Sequence, residues 1–348
     1  MSIAARAAPR TEVELDDRLS EPRDATIDAL RRAPGDVVVL GAGGKMGPTL
    51  ARMAARAGHV ADGTRRRRVI AVSRFTSAGV ARALEQHGVE TIQCDLIDPA
   101  AVERLPDAPN VVFMAGQKFG TSDAPSRTWM MNVVVPAYCA RRYTGARIVA
   151  FSTGNVYPLV PVRSGGASEI TGPAPVGEYA ASCLGRERIF EFYSATRQTR
   201  VAIVRLNYAI DLRYGVLTDL AQRVMRKEPV PIAMGHVNVI WQGDANRAAL
   251  ELLPLAASPP LVVNVSGAET LSVRALAIEL GKRLGVDPGF RGVEASDALL
   301  SNTSRFRETL GEPELTVDTM LDWVAEWVRA GRPLLGKPTH FETRDGAF

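Results

Sequence analysis

Residues 37–47 read VVVLGAGGKMG, and the fold is read outward from them. Val37–Leu40 is a short, β-branched apolar run that suits a strand buried on both faces. Gly41, Gly44 and Gly47 follow at G-x-x-G-x-x-G spacing, with Lys45 and Met46 inside the same loop. From Pro48 to Arg56 the pattern turns helical, with Leu50, Met53 and Ala54 on one face. Strand, glycine turn and helix in that order begin a dinucleotide site. The glycines permit a tight turn and close backbone approach, and the helix N-terminus offers N–H groups and a positive dipole end to a pyrophosphate. The spacing is not G-x-G-x-x-G, because Met46 stands where the third glycine would be. A glycine-rich turn that holds no ligand is the plainer alternative.

Strands and helices alternate along the rest of the chain. Val69–Ser73, Glu90–Cys94, Asn110–Met114, Arg147–Phe151, Arg200–Arg205 and Leu261–Val265 read as strands. Ala78–His87, Ser126–Arg142 (which carries Asn132) and Glu178–Thr196 read as helices. This alternation predicts an α/β fold with a doubly wound parallel sheet, whose functional groups lie on loops at the strands' carboxyl ends. Ser73 and Arg74, Asp95 and Leu96, and Ala115, Gly116 and Lys118 fall on such loops. Ser73 and Arg74 stand where an NAD-selective site usually places an acid for the ribose hydroxyl. A hydroxyl and a cation there suit a 2′-phosphate, so NADP is favoured over NAD. Asp98 reads as an N-cap. The run Arg65–Arg68 enters the amino end of the second strand, opposite the cofactor side, and reads as a solvated loop.

Further on, Ser272–Leu284 is an amphipathic helix capped by Ser272. In Val317–Arg329, Met320, Trp323, Val324, Trp327 and Val328 recur at helical spacing, which makes the two tryptophans core residues. Residues 1–34, rich in Ala, Arg, Glu and Asp, read as a partly ordered N-terminal extension. The tail Leu334–Phe348 reads as polar with turn residues.

With 348 residues, 46 % of them apolar, the chain can bury one large or two modest cores. A net charge of +4 is too mild to indicate nucleic-acid binding, and no basic strand is interleaved with aromatics. Cys94, Cys139 and Cys183 lack C-x-x-C spacing, so neither a disulfide framework nor a metal site is expected. No leader or membrane span is legible, which makes the cytoplasm the default.

Three further motifs are F-S-T-G-N-V-Y at Phe151–Tyr157, Y-A-A-S-C-L-G-R-E at Tyr179–Glu187 and N-V-S-G at Asn264–Gly267. With the glycine loop, V-R-L-N at Val204–Asn207 and the stretch Trp241–Ala245, they resemble the extended short-chain dehydrogenase/reductase family of epimerase/dehydratase type. The resemblance spans Asp36 to Leu284. It implies a Rossmann domain (35–206 plus 237–265), a smaller substrate domain (207–236 plus 266–348) and a homodimer. It also implies hydride transfer at a carbinol or ketone carbon of a sugar-like or sugar-nucleotide substrate. Thr153 matches the hydroxyl that orients the substrate oxygen, and Tyr179 matches the proton-moving tyrosine of Y-x-x-x-K. The family's lysine lowers the tyrosine's pKa and holds the cofactor ribose, but the matching position is Cys183. It keeps the helical face and loses the charge. Lys118, in an A-G-x-K stretch, is the candidate replacement cation, and Arg186 the weaker one.

Gly154-Asn155 stands where family dehydratases carry Asp-Glu, which counts against dehydration. Arg213, Arg223 and Arg274 are candidates for a substrate diphosphate, and His236 and His340 read as structural. A non-catalytic NAD(P)-binding sensor or scaffold is the alternative that the missing lysine raises.

Overall fold

The computed structural model describes residues 7–63, 67–76, 78–118, 120, 123–337 and 339–346. Seven parallel strands form its sheet: β1 (Val37–Leu40), β2 (Val69–Ser73), β3 (Glu90–Gln93), β4 (Asn110–Phe113), β5 (Arg147–Thr153), β6 (Arg200–Leu206) and β7 (Leu261–Val265). Their order is β7-β6-β5-β4-β1-β2-β3, so the chain changes winding direction between β1 and β4. Ligands of such sheets bind outside the carboxyl ends at that crevice. The expected doubly wound parallel sheet is therefore present.

Helices labelled here are α1 (Glu12–Leu19), α2 (Asp24–Arg32), α3 (Gly47–Asp62) and α4 (Gly177–Arg197). Both faces of β1 are covered, which is why its residues are apolar without alternation. Val37 and Val39 pack with Leu50, Met53 and Leu30 on one face. Val38 and Leu40 pack with Phe113, Ile148 and Phe190 on the other. A separate core in the C-terminal half holds Leu217, Leu220, Leu276, Leu280, Trp241, Trp323 and Trp327. The two tryptophans of the last helix are buried there as expected, Trp323 edge-on to Trp241 at 5.7 Å.

Three regions differ from their sequence reading. The N-terminal segment, expected to be partly ordered, forms α1 and α2 over residues 12–32. Leu15 and Leu19 are fully buried in the C-terminal core, while Leu30 belongs to the core beneath β1. Arg23 adds a fork to the Glu251 carboxylate at 2.8 and 2.6 Å. Few apolar residues carry this packing, so the local pattern was weak. The polar tail is also tied down. Thr339 donates its N–H and hydroxyl to Asp219 Oδ2 at 2.8 and 2.6 Å, and Phe341 is buried. Of the arginine run, Arg65 and Arg66 lie outside the described residues. Arg67 is not solvated: its buried guanidinium pairs with Asp62 at 2.6 Å and donates to the Leu30 and Ala33 carbonyls. Arg68 is the solvated member and pairs with Glu90.

The expected long helix at 126–142 contains a π segment at Met130–Val134 between two α segments. Such a widened turn re-aims its side chains, and Asn132 sits in it, fully buried. No helix among the described residues is long and apolar enough to cross a membrane.

Candidate active site

The glycine loop leaves β1 at the crevice. Gly41 has φ +88°, and a Cβ there would stand 2.5 Å from the Ala115 nitrogen, so both backbone angle and space require glycine. A Cβ on Gly47 would stand 2.4 Å from the Ala42 carbonyl oxygen. Gly47 thus provides the close helix–strand packing that Met46 does not. Gly44 is different: it is exposed, and nothing but the Gly41 oxygen lies within 4 Å of its would-be Cβ. Its backbone is open to an approaching ligand. Helix α3 starts without a side-chain cap, which leaves its first N–H groups to the loop.

A cavity opens on each side of this loop, of about 320 and 250 Å³, and the two share Gly41, Gly44, Met114 and Gly116 in their walls. The smaller is lined by Ser73, Arg74, Asp95, Leu96 and Ala115, all singled out from the sequence. Gly43, which sequence reasoning passed over, lies against Ser73: a Cβ would stand 2.5 Å from its hydroxyl. It is the second glycine of a G-x-G pair, and that spacing was the available signal. Asp98 caps the next helix as expected, accepting from Ala100 N.

The larger cavity brings Lys45, Met46, Gly47, Lys118, Thr153 and Tyr179 together. Strand β5 runs on to Thr153, whose Oγ1 accepts from both the N–H and the Nδ2 of Asn155, at 3.2 and 2.9 Å. With both accepting positions filled, the hydroxyl proton is left to donate, and the Tyr179 phenol is its neighbour. Burial and the neighbouring Cys183 hold that phenol well above its ordinary range, while Arg186 and Thr153 act in the opposite direction. Lys118 lies over the Tyr179 ring at 5.8 Å, and burial lowers its pKa to about 8. Lys45 turns away from the smaller cavity. Its Nζ donates to the Ala209 carbonyl at 3.2 Å and lies 4.1 Å from the Tyr214 ring centre, and burial lowers its pKa to about 8 as well.

Cys183 does not reach either cavity wall. It is buried among Val156, Tyr157 and Ala167 behind Tyr179, and burial raises its thiol pKa. Arg186 does reach the larger cavity. Ser152, in the wall, donates to Glu187 behind it at 2.5 Å, and Arg205 pairs with the same carboxylate at 2.7 Å. Arg205 also donates to the Tyr157 hydroxyl at 2.7 Å, and that hydroxyl donates on to Asn264 at 2.8 Å. The arginines considered for a diphosphate are engaged elsewhere. Arg213 pairs with Asp16 and Asp211, Arg223 with Glu342 and Arg274 with Glu294, and none lines the larger cavity. Asn155, Asn207, Tyr208, Tyr214 and Thr339 line it without having been foreseen in that role. Asn155 and Asn207 lie in the F-S-T-G-N-V-Y and V-R-L-N motifs, which were the available signal, whereas Tyr208, Tyr214 and Thr339 carry no local pattern that marks them. Among the described residues no group of His, Cys, Asp and Glu is arranged to hold a metal.

Solved structures share this architecture. UDP-glucose 4-epimerase from the hyperthermophile Thermotoga maritima, solved with UDP-glucose, matches with TM-score 0.69 at 19 % identity, covering 85 % of this chain and 99 % of its own. The Thermus thermophilus UDP-glucose 4-epimerase, solved with NAD, matches with TM-score 0.69 at 20 % identity over 84 % and 99 %. MoeE5, solved with UDP-glucose and NAD, matches with TM-score 0.68 at 19 % identity over 85 % and 99 %. No curated protein sequence matches the chain. The profile of the NAD dependent epimerase/dehydratase family matches residues 37–246.

These findings overturn the expected preference for NADP, since the family is described as NAD dependent and the relatives just named with a cofactor hold NAD. The physical reason is that a cation at a strand end is weak evidence for a phosphate. The Ser73 hydroxyl is packed against Gly43, Lys45 points into the other cavity, and an exposed guanidinium such as that of Arg74 also stacks on flat rings. With more than half its length matched, from β1 through residue 246, the chain belongs to the NAD dependent epimerase/dehydratase family.

Proposed function

We propose that this protein is an NAD-dependent oxidoreductase or epimerase acting at a carbinol or ketone carbon of a sugar or sugar nucleotide. The observation that carries this reading is one cavity that joins the glycine loop to Thr153 and Tyr179. Residues 35–206 with 237–265 hold NAD, and 207–236 with 266–348 hold the substrate. Gly41, Gly44 and Gly47 take the pyrophosphate, with Lys45 and Met46 beside it. Ser73, Arg74, Asp95 and Leu96 surround the adenosine, and Ala115, Gly116 and Lys118 flank the nicotinamide ribose. Bound NAD supplies a hydride acceptor. Thr153 donates a hydrogen bond to the reacting oxygen, and Tyr179 takes that oxygen's proton as the carbon is oxidised, returning it on reduction.

Cys183 stands four residues after Tyr179, at the position of the family's lysine, so Tyr179 needs a cation from elsewhere; Lys118 over its ring and Arg186 in the same wall are the two candidates. Incubation with NAD and a panel of UDP-hexoses, read by nicotinamide absorbance and product chromatography, tests the reading. Tyr179→Phe should lower turnover by at least about 100-fold, the lower bound for a positioned acid–base group. Undiminished turnover in that variant removes Tyr179 from the mechanism. The desolvated phenol and the absent lysine favour one second reading, a non-catalytic NAD-binding protein. Tight NAD binding without turnover of any sugar in the wild type would select it.

The chain is further proposed to form a homodimer through the helices at 126–142 and 178–196, where Trp129 and Phe192 are 41 % and 60 % exposed. Sedimentation of the wild type against Phe192→Asp tests this, and a monomeric wild type refutes it. Its three free cysteines support a cytoplasmic setting.

A further inference from the structure

Helix α4 carries a small thiol at position 183, where a lysine would bring charge to the cavity wall. Three residues on stands Arg186, a neighbour on the same helical face. Helical side chains lean toward the helix N-terminus, so a long residue at 186 reaches back over the turn that Cys183 leaves short. The guanidinium is 6 % exposed and lines the larger cavity. Its Nη1 donates to the Phe151 carbonyl and its Nη2 to Asn132 Oδ1, both at 2.8 Å. Both acceptors are neutral, and the neighbouring Glu187 is committed to Arg205. The Nε is buried without a partner. Nη2 also stands 2.5 Å from where a Cβ on Gly116 would be, and Gly116 is in the wall common to both cavities.

We propose that Arg186 supplies the positive charge that position 183 lacks, stabilising the ionised form of Tyr179 and facing the cofactor ribose across Gly116. This rests on the reading of Tyr179 as the proton-moving group. Asn132, turned inward by the π segment, holds the guanidinium in place and itself bonds the Gln117 backbone at 2.9 Å. The groups that face Tyr179 are Cys183 and Arg186 from its own helix, Thr153 from β5 and Lys118 from the loop after β4. Asp219 acts on Lys118, and Lys45 shares the cavity. Of the cations, the lysines give up their protons only as pH rises through about 8, whereas a guanidinium keeps its proton in any protein environment, including at the higher pH where a phenol ionises. Arg186 therefore remains charged when the phenol must ionise.

Arg186→Gln keeps a donor and drops the charge. Ultraviolet difference titration of the ligand-free protein, with Tyr179→Phe as the blank, reads the phenol directly. The pH profile of turnover with NAD reads its consequence. Arg186→Gln should raise the Tyr179 titration by at least about one unit and cut neutral-pH turnover about tenfold. Adding Cys183→Lys to it should restore both, because the charge returns to the same wall. Lys118→Met should leave the titration in place. A wild-type titration in folded Arg186→Gln, or a double variant without recovery, overturns the proposal, as does a shift in Lys118→Met alone. If Arg186→Gln does not fold, Cys183→Lys in the wild type decides. A further fall of a unit or more shows that the wall lacked a cation, and little change supports Arg186. The titration needs no turnover, so undiminished turnover in Tyr179→Phe, which would remove Tyr179 from the mechanism, leaves this result readable.

Discussion

Gly44 and Gly47 lie three residues apart in one loop and should fail in opposite ways when each becomes alanine. At Gly47 the added methyl meets the backbone of Ala42, with its oxygen, carbon and Cα at 2.4, 2.6 and 2.6 Å. Backbone cannot swing aside as a side chain can, so β1 and α3 must separate. Overpacking of this kind costs about 1–3 kcal/mol or somewhat more. An unfolding entropy of about 2.1 cal/mol/K per residue over 348 residues gives about 0.7 kcal/mol/K, or about 1.4 °C per kcal/mol. Gly47→Ala should then melt about 1–4 °C lower without ligand. At Gly44 the methyl enters open space and the fold should hold within about 0.5 kcal/mol. It does occupy the approach to the exposed backbone. Loss of one charge-assisted hydrogen bond, about 1.5–3 kcal/mol, weakens NAD about 10- to 150-fold. Melting without ligand and calorimetric titration with NAD measure the two effects separately. A Gly44→Ala protein that binds NAD like the wild type would refute the assignment of this loop to the pyrophosphate. It would leave only a tightly packed turn.

Other outcomes follow from the same contacts. Glu187→Gln strips the buried Arg205 of its counter-charge, and an unpaired buried ion costs about 3–5 kcal/mol; thermal melting should fall by about 4–7 °C, and a change under about 1 °C would show the pair to be dispensable. Leu15→Ala empties a fully buried site in the C-terminal core and should cost about 2–5 kcal/mol by denaturant titration, whereas a loosely attached N-terminal segment would tolerate it. Lys118 binds its proton in the unfolded chain up to its ordinary value of 10.5 but releases it near 8 when folded. Between those pH values the unfolded state binds more protons, so stability rises with pH. Denaturant titrations from about pH 7 to 11 should show a smaller rise in Lys118→Met than in the wild type, and equal slopes would place Lys118 in water.

Much of the fold is legible because its signals are local. A β-branched run with no alternation requires cover on both faces, and β1 has it. Glycines at fixed spacing before a helix pattern mark a turn that bulkier residues cannot make. Strand and helix patterns in alternation leave few topologies besides a parallel sheet wound in both directions. Those facts by themselves place Ser73, Asp95 and Gly116 at the carboxyl edge, while Thr153 and Tyr179 were picked out by the motifs that carry the family resemblance. The preference for NADP was read from residue types at one strand end. It failed because charge alone does not distinguish a phosphate site from a stacking surface.

Tertiary structure decided what depends on neighbours distant in sequence. Arg186 looks like any surface cation in a helix pattern until Gly116, Asn132 and the Phe151 carbonyl close around it. Arg213 looks available for an anion until Asp16 of α1 takes it. The N-terminal helices and the tail look dispensable until Leu15 and Phe341 are seen buried. Periodicity reports how a segment meets its own turn or pleat. The reach of a guanidinium, and the carboxylate or carbonyl that claims it, are set by chain crossings that no local pattern records.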